Sequence, residues 1–505
     1  MSAQNDRAAD AVEIARLAAL PELEYWRGRR EAAQKLGLPV RVLDRQVAAA
    51  RRATQARAED AAIALSQDAA AERFAEAHAG DMRFVASWGK WFIWNGQRWH
   101  EDQTLFAFDR ARLVCRAMAQ EATSDEIARN LTSAAGVAAI EKLAKADRAL
   151  AATAEQWDSD PWILNTPGGI VDLKTGEVRP HDPAAFMTKM TAVAPGGDCP
   201  LWRGFLDRIT AGDAALAGFL QRVAGLSLTG ITRDHALFFG YGTGANGKGV
   251  LLNTTTGMLG DYAAIATMET FSASPTDRHP TDLAMLRGAR LVTAQETEEG
   301  RRWAESRIKA LTGGDPITAR FMRQDFFTFV PSFKLFIAGN HKPALRGVDE
   351  ALRRRFHLIP FTITIPAAER DVDLPEKLKE EWGGILQWAI EGCLEWQRIG
   401  LAPPGAVMAA TAEYLIAEDS FSTWLDERTR KVGWGGAEVM ALFADWCGWA
   451  KAAGEEPGSA KRFVQSLAAR GLRAVKNGAT RRSEISGIAL ADAERSHFET
   501  AEEWA

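Results

Sequence analysis

The stretch that most constrains the fold runs from His235 to Leu259, HALFFGYGTGANGKGVLLNTTTGML. Ala236, Leu237, Phe238 and Phe239 form an apolar run that reads as a buried strand, and a helix-like apolar pattern starts at Val250. Between them lies a glycine-dense turn closed by Lys248. Strand, glycine loop and helix make a phosphate-binding loop credible. Glycines let successive backbone N–H groups converge on oxygens, and the helix N-terminus adds partial positive charge. The cradle this predicts is Gly242, Thr243, Gly244, Ala245, Asn246, Gly247, Lys248 and Gly249, with Lys248 meeting the outer phosphates. The general pattern ends in Ser or Thr, whose hydroxyl ligates magnesium, and here that place is Gly249.

At 505 residues the chain is too long for one ordinary core, and roughly two to four domains are expected. A net charge of −5 excludes a uniformly basic, histone-like protein but not local basic surfaces. The polar start and the lack of a long uncharged apolar run predict neither a secretory signal nor a membrane span. Cys115, Cys199, Cys393 and Cys447 lie far apart, which argues against structural zinc and a disulfide framework. A reducing, cytoplasmic compartment is the expectation.

Residues 1–80 read as a helical segment, broken at Leu36-Gly37-Leu38-Pro39 and resumed from Val40 to Arg57. Its arginines suit either a solvated helical face or a nucleic-acid contact. Residues 81–200 read as a mixed α+β domain. Trp88, Trp91, Trp94 and Trp99 crowd a hairpin signal around Asn95-Gly96, as core packing or as a platform for bases. Helices lead into the opening strand across a domain placed at 201–400, whose strand and helix signals alternate to about Pro360 as a parallel sheet requires. Leu401-Ala-Pro-Pro-Gly reads as a linker, and 406–505 as a compact mixed segment.

Downstream of the loop, Arg290 to Glu296 reads as a short apolar strand ending in carboxylates, with Glu296 where a water-polarising and magnesium-handling carboxylate belongs, or else as a strand followed by a solvated acidic cluster. The residue before Glu296 is Gln295, not the usual aspartate. Phe333 to Gly339 is another buried strand tipped by Asn340, which can bond a phosphate or orient water, or serve as turn chemistry. Arg353, Arg354 and Arg355 then precede an apolar strand, as a charged helix end or as arginines reaching another subunit's nucleotide. Between the carboxylate and asparagine strands, residues 317–329 read as a hairpin. Arg320 and Arg323 on it, with Lys309 on the preceding helix, place basic groups for a phosphate backbone.

The ordered set GTGANGKG, LVTAQETEEG, LTGGDPITAR, FKLFIAGNHKP and LRRRFHLIPF resembles the superfamily 3 helicases of the phage and plasmid primase–helicase family, related to the poxvirus primase–helicase. The likeness runs from about residue 82 through most of the chain. It implies an AAA+ type P-loop ATPase core with ATP and magnesium as cofactors, assembled as a homo-oligomeric, hexameric ring. Such a ring moves 3′ to 5′ on single-stranded and forked DNA. By matching position it implies Lys248 as the phosphate lysine, Glu296 as the catalytic and metal-handling carboxylate, Asn340 as the sensor, and Arg354 and Arg355 as the trans-acting pair. No primase domain is expected, so priming would fall to a separate protein. The C-terminal segment resembles a winged helix, with Arg473 and Lys476 in a one-signed basic stretch facing DNA. A phage, plasmid or integrated element in a bacterial cytoplasm is the implied setting. The rival reading is a nucleotide-gated DNA-binding or replication-loading protein with weak turnover, which Gly249 and Gln295 favour. A third is a P-loop ATPase of another purpose, such as a kinase or packaging motor.

Overall fold

The computed structural model describes residues 2–122, 124–273, 281–295, 302–322, 325–345, 348–453, 457–476 and 481–491. The chain divides into two compact units, one of residues 1–157 with 183–188, the other of 158–182 with 189–505. No helix among the described residues is long and apolar enough to cross a membrane.

In the first unit, α1 (Ser2–Ala19), α2 (Glu22–Lys35) and α3 (Val40–Ala64) share a small core of Leu17, Tyr25, Ala32, Ala33, Leu43 and Val47. Next come α4 (Gln67–His78), β1 (Met82–Val85), β2 (Lys90–Trp94) and β3 (Trp99–Glu101). Then α5 (Phe106–Glu121), α6 (Asp125–Thr132), α7 (Ala134–Ala144) and β4 (Ala151–Ala152) complete a second core around Phe74, Trp91 and Ile140. Strand order is β3-β2-β1-β4. The tryptophan segment folds as a hairpin turning at Asn95–Arg98, with Gly96 at φ +95°. Trp91, Trp99 and Trp157 are buried, and Trp99 Nε1 donates to the Pro183 carbonyl at 2.9 Å. These rings build a core rather than an open stacking surface.

The second unit begins earlier than the expected break at 200. Its antiparallel β5 (Ile163–Thr166), β6 (Gly169–Asp172) and β7 (Val178–Arg179) share a unit with residues 189–505. Tyr262 Oη accepts from Asn165 N–H at 3.1 Å, a contact that no local pattern could announce. Helices α8 (Pro200–Ile209) and α9 (Ala214–Leu228) precede β8 (Leu237–Tyr241) and α10 (Lys248–Leu259). The chain continues through β9 (Ala263–Ile265), α11 (Thr281–Ala284), β10 (Leu291–Gln295) and α12 (Glu305–Gly313). It then forms the hairpin β11 (Ile317–Ala319) and β12 (Phe327–Phe329), followed by β13 (Lys334–Gly339), α13 (Glu350–Arg353) and β14 (Phe356–Pro360).

Strands β14-β8-β13-β10-β9 form one five-stranded sheet, parallel throughout. Its near-continuous apolar strands, such as Leu237, Phe238 and Phe239, are what burial on both faces demands. The strand after β8 in sequence lies at the far edge, so β8 has later strands on both sides. That reversal opens a crevice at the carboxyl ends of the strands.

Helices α14 (Leu374–Glu380), α15 (Trp382–Ile399) and α16 (Gly405–Ala417) come next; α15 packs on α9 and α16 on β14. The C-terminal module has its own core around Trp424, Leu442, Trp446 and Phe463. It runs α17 (Ser420–Arg428), β15 (Thr429–Glu438), α18 (Val439–Ala452), α19 (Ala460–Ala469), β16 (Ala474–Lys476) and β17 (Ser483–Leu490), with β17 between β15 and β16.

Candidate nucleotide site and nucleic-acid surfaces

Tyr241 closes β8 with Gly339 and Pro360 beside it in register, and the glycine loop leaves from that edge. Gly247 has φ +82°, and a Cβ there would stand 2.4 Å from Ile209 Cγ2, so the turn into α10 requires glycine. At Gly242 a Cβ would meet the Phe361 carbonyl oxygen at 2.3 Å. The segment after β14 braces the loop. Asn246 Nδ2 donates to Phe361 O at 3.3 Å, and Ile365 N–H donates to Ala245 O at 2.8 Å. The hydroxyls of Thr243 and Thr364 lie 3.4 Å apart.

Lys248 is the first residue of α10 and is 7 % exposed. Its Nζ donates to Gly242 O at 2.8 Å, Asn246 Oδ1 at 3.0 Å and Asn340 Oδ1 at 3.3 Å. The loop lysine and the asparagine tipping β13 are therefore brought together. Burial lowers the lysine's pKa. A helix N-terminus already carries partial positive charge, so this cation sits at the unfavourable end with only neutral oxygens around it. Such a site is short of negative charge, which a phosphate supplies.

Beside Lys248, a Cβ at Gly249 would stand 3.5 Å from Gln295 Oε1, and Gln295 Nε2 donates to Asn253 Oδ1 at 2.8 Å. Gly249 thus stands in the place of the usual hydroxyl and Gln295 in that of the usual aspartate, with Gln295 tied to Asn253. No group of three or more His, Cys, Asp or Glu among the described residues could hold a metal ion. Glu296 lies outside the described residues.

The three arginines before β14 have separate surroundings. Arg353 pairs with buried Asp419 at 3.3 Å. Arg355 is 7 % exposed, and it donates to Ala351 O at 2.6 Å and Thr312 Oγ1 at 3.1 Å. Burial, then the neighbouring Arg354, lowers its pKa. Arg354 is exposed. Of the expected pair, Arg355 is therefore turned into its own chain, while Arg354 is exposed, as is Arg353.

The hairpin β11–β12 is present, but Arg323 at its tip lies outside the described residues. Arg320 lies 4.6 Å over the Phe326 ring. Met322 and Phe326 are exposed, so the arm is as apolar as it is basic. Lys309 forms an ion pair with Asp349. Burial pushes the Asp349 carboxyl up, and the Lys309 bond and Leu352 N–H pull it below the ordinary range. Lys309 thus ties α12 to α13.

In the C-terminal module Arg473 and Lys476 are exposed, as are Lys461, Arg462 and Arg481. Arg470 instead pairs with Asp419 at 2.6 Å and Arg482 with Glu438 at 2.9 Å. Sequence reasoning missed Asn253, Asp419 and the backbone of Phe361 and Ile365. A backbone carbonyl leaves no mark in sequence, and only the N-cap position of Asp419 carried a signal.

The family described as D5 N terminal like matches residues 71–211, and a family of unknown function (DUF5906) matches 240–355. The "Putative helicase L207/L206" of Acanthamoeba polyphaga mimivirus is 25% identical over 326 residues, which are 58% of this chain and 33% of that protein. The "Putative helicase 022R" of Frog virus 3 (isolate Goorha) is 27% identical over 242 residues, 43% of this chain and 25% of that protein. The chain therefore spans a third or less of the length of these curated relatives. The apo NrS-1 C-terminal region is 11% identical, covering 81% of this chain and 96% of that one at a TM-score of 0.43, a likeness too loose to weigh. The sequence matches define a class: this chain is a primase–helicase-like protein of the phage and viral kind.

Proposed function

We propose that this chain is an ATP-driven DNA helicase subunit of the superfamily 3, AAA+ type, acting in replication of a phage, plasmid or related element. The observation that carries this is the bond from Lys248 to Asn340, which gathers two strand ends around a buried, anion-deficient site. ATP is the substrate for that site, with loop N–H groups and Lys248 on its phosphates and Asn340 beside the reacting end. Magnesium would be held by the phosphates and water with Glu296, and when bound it neutralises developing phosphate charge.

The direction of β14 supports a ring. Phe356 pairs with Leu237 and Pro360 with Tyr241, so Arg354 lies at the amino edge of the sheet, while the loop leaves the carboxyl edge. Five strand residues separate the two edges by roughly 16 Å. Arg354 does not serve its own loop; it serves a neighbour's, which favours a closed homo-oligomer such as a hexamer. The hairpin and the exposed Arg473 and Lys476 would then engage single-stranded or forked DNA, with 3′ to 5′ movement inferred from resemblance alone. The order helix, strand, helix, helix, strand, strand supports reading the C-terminal module as a winged helix.

The amide pair Gln295–Asn253 favours a second reading, a nucleotide-gated DNA-binding or loading protein with weak turnover. Magnesium-dependent ATPase and strand-displacement assays on wild type and Glu296→Gln separate the two. The motor reading expects turnover stimulated by single-stranded DNA, and a variant that binds ATP but hardly hydrolyses it. Negligible wild-type turnover at every magnesium concentration would sink it and leave the gated binder.

A further inference from the structure

Residues 2–64 lie outside both family matches and outside the nucleotide site and basic surfaces of the second unit. They fold around a core of their own, with α1 and α2 packed on α3. The joint between α2 and α3 is Leu36-Gly37-Leu38-Pro39, four residues. Leu38 N–H donates to Ala33 O at 3.0 Å and Gly37 N–H to Gln34 O at 3.2 Å, with Gly37 at φ +64°. This glycine-capped stop ends α2 sharply, and Pro39 starts α3 at once. Two helices on a short glycine turn, braced by a third, share the element order of a helix-turn-helix, whose second helix enters the major groove.

The charges on that second helix are sorted. Asp44, the acid of its first turns, is bonded by Arg29 at 2.6 Å and by the Tyr25 hydroxyl at 2.7 Å. Arg51 points inward and caps α1 through Ala18 O at 3.0 Å and Leu20 O at 2.8 Å. Arg41, Arg45 and Arg52 are exposed, and at helical spacing they share one face with exposed Ala48 and Ala49 between them. On α2, Arg27 and Arg30 are exposed too. Among the described residues none of these five arginines has a carboxylate partner. Residues 21–57 hold nine Arg and Lys against four Asp and Glu, in a chain of net charge −5.

We propose that residues 2–64 are a double-stranded DNA-docking module. Helix α3 lies in the major groove with Arg41, Arg45 and Arg52 toward the duplex, and Arg27 and Arg30 rest on phosphate. The small Ala48 and Ala49 let the helix approach closely. The deep, narrow major groove of A-form RNA does not admit a helix, which selects B-form DNA. This goes beyond the motor reading, since it needs no nucleotide, and it supplies a grip on duplex distinct from the hairpin and C-terminal contacts proposed for a single strand.

The test uses the full chain without nucleotide, titrated into a labelled mixed-sequence DNA duplex and an RNA duplex of the same sequence across salt concentrations. Arg41→Ala with Arg45→Ala should weaken DNA-duplex binding about tenfold or more and lower the salt slope by about two. Arg41→Lys with Arg45→Lys should keep the slope. Hydrogen exchange of wild type should show α3 protected by duplex DNA. An alanine variant that melts like wild type and binds duplex DNA with unchanged affinity and slope would overturn the proposal. So would RNA duplex bound as tightly as DNA, or protection by an acidic peptide but not by DNA.

Discussion

The two edges of the five-stranded sheet both carry buried cations, and they use them in opposite ways. At the amino edge, Arg290 donates to Leu228 O at 2.6 Å and to Ile163 O at 2.7 Å, and Lys334 donates to Thr229 O. Leu228 and Thr229 close α9, so both cations meet the negative end of a helix and its orphan carbonyls. Burial lowers both pKa values, well below the usual range for Lys334, yet the electrostatics agree with the fold. At the carboxyl edge Lys248 meets the positive end of α10 and shares only neutral oxygens. A cation whose surroundings satisfy it is a rivet; one at the wrong helix end is waiting for an anion.

The contrast is sharpest within Arg354 and Arg355. Arg354→Ala should cut ATP turnover by about a thousandfold while chemical denaturation stays as in wild type. Mixing it with Lys248→Ala subunits should restore part of the activity, and no recovery from normally assembled mixtures would count against a trans role. Arg355→Ala should instead cost about 1–3 kcal/mol of stability, because Thr312 and Ala351 lose their donor. If Arg355→Ala spares stability, the assignment of the inward arginine is wrong.

Lys334→Met should follow the rivet pattern, losing about 2–4 kcal/mol as the Thr229 and Ile231 carbonyls are left buried and unpaired. Its folded fraction should still bind ATP. A variant that keeps its stability but loses nucleotide would break the comparison between the edges.

His357 lies on β14 against Phe238 and Phe219, and burial lowers its pKa from 6.5 to about 4. Its unfolded form binds more protons across that window, so the stability it allows is complete above pH 6.5 and falls as pH drops toward 4. The loss should reach no more than about 3 kcal/mol. His357→Phe should flatten that part of the denaturation profile; an unchanged slope would place the acid sensitivity elsewhere.

The gentlest test is Gly249→Ser. The 3.5 Å from its Cβ position to Gln295 Oε1 leaves room for a hydroxyl. Half-maximal turnover should shift to lower magnesium, and no shift would mean that the serine position is not metal-facing here.

Much of this was legible before the structure. Glycine density and a following lysine fix a loop by backbone sterics, and an amide ending an apolar run marks a strand tip, so Lys248 and Asn340 could be named. That they touch could not, since register between β8 and β13 is set by the whole sheet. Three consecutive arginines are alike in sequence, and what tells them apart is the burial of Arg355 and the pairing of Arg353 with Asp419. Lys309 reads as a free cation until Asp349, forty residues on, is brought beside it. The boundary near Trp157 was hidden for the same reason, because β5 reports its allegiance through Tyr262.

The central claim is that Lys248 sits in an anion-deficient site built for nucleotide phosphate. Titrating a fluorescent ATP analogue into wild type and Lys248→Ala, with magnesium present, tests it directly. The account predicts saturable wild-type binding and a loss of about a hundredfold or more in the variant, whose thermal unfolding stays close to wild type. Equal affinity in the two proteins, or a variant that loses nucleotide only because it unfolds, would contradict it.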